Sequence, residues 1–124
     1  TDIEMVFNEE KKAVDWIFRY GNEALATLEK LPLDKMIGSS FSSLFSNMDA
    51  KWLHVYERAT LYGETLEIMD YSPEIDTNLK IICFPTFPGH CGCILFNADK
   101  MKSISEENHL VRLVEVSMKN NSSK

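Results

Sequence analysis

At 124 residues the chain has room for one domain with a modest core, and its 44% apolar and 26% charged composition is that of an ordinary globular protein. The formal net charge is −6, and the thirteen Lys and Arg are scattered rather than gathered into a basic stripe, so a nucleic-acid partner is disfavoured. No run approaches the roughly 18 continuous apolar residues of a membrane span, so direct membrane insertion is not expected.

Residues 3–7 alternate Ile3, Met5 and Phe7 against Glu4 and Val6, which predicts a strand. A polar turn leads into a second strand at 13–20. One face of it carries Val14, Trp16, Phe18 and Tyr20, the other Ala13, Asp15, Ile17 and Arg19. At Gly21-Asn22 the period changes. Asn22 is a good N-cap, and Ala24, Leu25, Leu28 and Leu31 follow at helical spacing until Pro32 stops the helix. Single helical turns are expected over 32–36 and around Phe41, Leu44 and Phe45. Asp49 caps a longer helix over 50–62 with Trp52, Leu53, Tyr56, Ala59 and Thr60 inward, and Gly63 stands at its end.

Three more strands are predicted at 65–71, 79–84 and 91–97, joined by a loop over 72–78 and a Pro88-Gly89 turn. Ser103-Ile104-Ser105-Glu106 fits a capping box. Ile104, Val111 and Met118 recur every seven residues, which predicts a C-terminal helix with a coiled-coil-like stripe. Strands at both ends with helices between them imply an α+β domain: one antiparallel sheet with helices on one face.

The motifs in this order resemble the PAS family of sensory domains. Asp15-Trp16-Ile17-Phe18-Arg19-Tyr20-Gly21-Asn22-Glu23-Ala24 is similar to the family's second strand and helix start. Ile37-Gly38 is similar to the pair after its second short helix. Trp52-x-x-x-Tyr56-x-x-Ala59-x-x-x-Gly63-Glu64 is similar to the long helix and exit turn of PAS domains attached to bacterial signalling enzymes. The resemblance covers roughly residues 3–99. It implies a five-stranded sheet in the spatial order 2-1-5-4-3, a sensory domain over 1–99, and a signalling helix and tail over 100–124. It also implies a C-terminal output domain, a diguanylate cyclase or histidine kinase. Two positions depart from the pattern. Leu28-Glu29-Lys30 stands where many relatives have Leu-Thr-Gly, and Asn97-Ala98-Asp99-Lys100 where many have Asp-Ile-Thr. The chain ends, Thr1-Asp2-Ile3-Glu4 and Asn120-Asn121-Ser122-Ser123-Lys124, read as the edges of a piece of a longer protein.

Cys83, His90, Cys91 and Cys93 fall within eleven residues, but the spacing is not that of paired zinc ligands. Small buried residues filling one sheet face is the favoured reading. An odd cysteine count fits a reducing compartment, so a cytoplasmic location and free thiols are expected. His54 lies on the polar side of its helix, away from a haem pocket. No cysteine precedes Cys83, which excludes flavin photoadduct chemistry of the helix-borne kind. No zinc, haem or flavin cofactor is expected. The serines at 39, 40, 42, 43 and 46 read as turn residues.

The aromatics Trp16, Phe18, Tyr20, Trp52, Tyr56 and Phe84 either line a pocket or fill it. The candidate ligand-binding residues are Trp16, Phe18, Leu28, Trp52, Tyr56 and Cys83, toward an unspecified small molecule. The last two strands are apolar on both faces, with Ile81, Cys83 and Leu95 alternating with Ile82, Phe84, Ile94 and Phe96. The outer face therefore needs cover, from a second subunit in a homodimer or from the chain's own C-terminal helix. The leading expectation is a non-enzymatic sensory or dimerisation module. The alternative is a small stand-alone enzyme with Cys91 or Cys93 as nucleophile.

Overall fold

The alternating segments pair as their patterning requires. The computed structural model describes residues 1–100. The helix expected from Ser103, with its Ile104, Val111 and Met118 stripe, lies outside the described residues. The strands are β1 (Asp2–Phe7), β2 (Ala13–Tyr20), β3 (Leu66–Ser72), β4 (Thr77–Pro85) and β5 (His90–Asn97). They form one antiparallel sheet in the order β2-β1-β5-β4-β3. Between β2 and β3 the chain inserts α1 (Glu23–Glu29), α2 (Leu33–Met36), α3 (Phe41–Leu44) and α4 (Ala50–Tyr62). The fold class is α+β, with the buried side chains of the sheet and of α4 forming one core.

Local chemistry sets the helix limits. The Asn22 side chain accepts from Leu25 N at 3.0 Å and starts α1. Lys30 ends it in a left-handed conformation, φ 63°, two residues before Pro32. Asp49 accepts from Lys51 N at 3.0 Å at the start of α4, and Gly63, φ 67°, closes its end. The segment after α2 then runs back along β2. Gly38 N donates to Phe18 O at 2.6 Å and Phe18 N donates to Ser39 O at 3.1 Å, so the outer edge of β2 is covered.

The structure differs from the sequence expectations at three places. Val14 and Tyr20 are exposed, because the β1–β2 pairing shifts register at both ends: Phe7 pairs with Ala13, leaving Val14 as the extra residue, and Asp2 pairs with Tyr20, which turns Tyr20 to the outer face. β4 begins at Thr77 rather than 79, and the turn before it is part of the core, with Ser72, Ile75 and Thr77 buried. Phe84 points away from any interior pocket. Cys83 is buried, so its strand neighbour faces the opposite side, where the Phe84 ring lies across Gly92. At the C-terminal end of the sheet, Asn97 Oδ1 accepts from Lys100 N at 3.1 Å and residues 98–100 are helical. Asn78 Nδ2 donates to the Asp99 carboxylate at 3.2 Å, tying this exit to β4. Among the described residues no helix is long and apolar enough to cross a membrane.

Candidate functional site

On α4, Trp52, Tyr56 and Ala59 follow at helical spacing and are all buried against the sheet. Trp16 of β2 meets them from below. Its ring lies 5.0 Å from Tyr56, edge to face, and 4.2 Å from Phe41 of α3. These four aromatics, with Leu79 and Ile81 as floor, enclose a chamber of about 20 Å³. That is room for about one water. Two polar side chains, Glu29 and Ser72, open into it.

Glu29 is the last residue of α1 and is only 6% exposed. Its carboxyl is pushed from an ordinary 4.5 up to about 7, first by burial and then by the charge of Glu74. Glu74 lies in the turn before β4 and is well supplied with donors. It accepts from Asp49 N at 2.6 Å, Ser72 Oγ at 2.5 Å and Trp52 Nε1 at 3.3 Å. Lys30 follows Glu29 in sequence, but its ammonium donates to Ile75 O at 2.8 Å. The Tyr56 phenol is raised well above its ordinary value by burial first, then by Cys93.

Of the six candidate ligand residues, Trp16, Trp52 and Tyr56 come together around the chamber. Phe18 and Cys83 are buried in the same core without lining it. Leu28 lines a separate crevice of about 170 Å³ between α1 and β5, beside Leu25, Cys93 and Leu95. Leu95 borders both spaces.

The three cysteines are free and buried on the inner face, with Cys83 directly opposite Cys93. Burial raises the Cys83 thiol to about 11 and drives Cys93 well above its ordinary value. Cys91 is drawn below its ordinary value, first by a thiol hydrogen bond with Cys93 and then, against burial, by the Thr60 hydroxyl. Thr60 Oγ1 is buried with no hydrogen-bond partner among the described residues. His90 precedes Cys91 in β5 and turns to the outer face, where Nδ1 lies 2.8 Å from Asp2 Oδ2. Histidine and thiols are thus on opposite sides of the sheet. His54 is exposed. Among the described residues no group of three His, Cys, Asp or Glu side chains is arranged to hold a metal ion.

Sequence reasoning passed over Glu29 and Glu74. The signal for Glu29 was its position four residues after Leu25 and three after Ala26, both buried, so that all three share one helix face. Glu74 carried no comparable signal. Compared with protein-family models, curated proteins and solved structures, the chain matches none.

Proposed function

We propose that this chain is a PAS-type sensory module of a larger bacterial signalling protein, non-enzymatic in itself and cytoplasmic. It relays a change under the helical layer through β5 to an output domain, a diguanylate cyclase or histidine kinase. The observation that carries this reading is the sheet order β2-β1-β5-β4-β3 with all four helices inserted between β2 and β3. It is the arrangement that the resemblance of the Trp16–Asn22, Ile37-Gly38 and Trp52–Gly63 motifs implies. The Asn97 cap and the Asn78–Asp99 bond support a mechanical link between the sheet and whatever follows. Burial of Cys91 and Cys93 beneath α4 favours the sensory reading over a cysteine nucleophile, which needs an accessible sulfur.

The outer face supports a homodimer. Ile94 is 46% exposed, Ile82, Phe84 and Phe96 are half-buried, and the helices α1–α4 lie on the other side. A self-complementary apolar face suits two-fold association. Sedimentation velocity tests this: the chain should run as a dimer, and Ile94→Lys with Phe96→Lys should run as a folded monomer. A wild-type chain that stays monomeric at high concentration would contradict the assembly.

A further inference from the structure

α1 meets the core through Leu25, Ala26 and Glu29, and Glu29 is the one ionisable member of that contact. Each element around its carboxyl withholds a cation. β2 and α3 present Trp16 and Phe41, and β4 and β5 present Leu79, Ile81 and Leu95. α4 presents Trp52 and Tyr56, whose phenol stays neutral. β3 presents the Ser72 hydroxyl, which is committed to Glu74. The charged group that acts on Glu29 is the Glu74 carboxylate, of like sign. Lys30 is held at Ile75 O, and Lys51 is paired with Asp49 at 3.4 Å. The C-terminal end of α1 adds a partial negative charge of its own. A carboxylate buried without a cation keeps its proton rather than bear the desolvation of the charge.

The other flank of α1 is not tightly packed. The crevice of about 170 Å³ separates Ala24, Leu25 and Leu28 from β5. α1 is seven residues long and ends at the left-handed Lys30. A short helix with an open crevice beside it and an acid beneath it has room to tilt.

We propose that Glu29 is a proton-binding site, and that loss of its proton tilts α1 off the sheet and lets water into the aromatic chamber. In that step the carboxylic O–H bond breaks, the electron pair stays on the carboxylate, and the proton passes to water. As the input signal of a sensor this rests on the sensory reading above; as a proton site it stands on the chamber alone.

The test follows the carboxyl carbon of Glu29 by NMR in the full chain as pH is raised, beside tryptophan emission over the same range. Both tryptophans, Trp16 and Trp52, line the chamber, so emission reports its wetting. The expected result is a Glu29 midpoint near 7, apart from the exposed glutamates, and a red shift of emission with the same midpoint that Glu29→Gln abolishes. The carboxyl titration needs no variant and stands even if Glu29→Gln fails to fold. A Glu29 midpoint among the exposed glutamates would overturn the proposal. So would an emission transition that persists in folded Glu29→Gln. Failure of the sensory reading has a different signature: Glu29 titrates and emission shifts, but the amide resonances of β5 and of the Asn97 exit do not move over the same pH range. That result supports the proton site and counts only against the relay.

Discussion

α4 and α1 cover the same sheet face and bury different chemistry. α4 runs for thirteen residues between the Asp49 cap and left-handed Gly63, and its buried residues are Trp52, Tyr56 and Ala59. α1 runs for seven residues, and its buried residues are Leu25, Ala26 and the carboxyl-bearing Glu29. α4 also draws support from outside itself, since Glu74 bonds both Asp49 N and Trp52 Nε1. α1 is tied only at its end, where Lys30 donates to Ile75 O, and has the crevice beside it. Apolar burial holds a helix at any pH, whereas a buried acid holds one only while it keeps its proton. The sheet thus has one fixed cover and one conditional cover.

The largest expected effect breaks the fixed cover. Trp52→Ala should lose about 3–5 kcal/mol in denaturant unfolding, from lost burial and the cavity left behind. A loss below about 1 kcal/mol would put Trp52 on a wet face and remove the contrast.

The second effect belongs to the conditional cover. The folded-state value of Glu29 is raised, so between its ordinary 4.5 and about 7 the folded chain holds a proton that the unfolded chain has lost. Stability from this group is complete below about pH 4.5 and is lost as pH rises through about 7. At roughly 1.4 kcal/mol per pH unit the whole span is worth about 3 kcal/mol. Denaturant unfolding at a series of pH values should show this fall in the wild type, and Glu29→Gln should flatten it. Equal slopes in the two proteins would contradict the linkage.

Asn22→Ala, which removes the α1 cap, should cost about 1 kcal/mol, read by thermal or denaturant unfolding. The smallest effect sharpens the electrostatics. Glu74→Gln should lower the Glu29 midpoint part of the way toward 4.5, because burial is the larger cause and remains. A carboxyl titration that does not move would exclude Glu74 as a contributor.

The fixed cover was legible in the sequence and the conditional one was not. Asp49, the Trp52–Tyr56–Ala59 spacing and Gly63 are local signals, and α4 begins and ends where they place it. The strands followed from their patterning for the same reason, and β4, read as 79–84, runs Thr77–Pro85, its start carried back to Thr77, a polar residue buried by the packed turn. Phe84 was counted among the aromatics that line or fill a pocket, although its alternation with buried Cys83 puts it on the outer face. The Glu29 chamber draws on Trp16, Phe41, Trp52 and Tyr56, which come from separate elements. The helix spacing puts Glu29 on the face of Leu25 and Ala26, but no local pattern shows the roof that it meets there. The Glu74 bonds depend on the turn before β4 meeting Asp49 and α4 across more than twenty positions of sequence.

The contrast between the two covers is tested most directly by native-state hydrogen exchange, with the backbone amides of α1 and α4 followed in one sample near neutral pH. The account predicts that α1 amides exchange through a local opening, with protection roughly tenfold or more below that of α4, and that α4 amides exchange only with global unfolding. Equal protection in the two helices would contradict it.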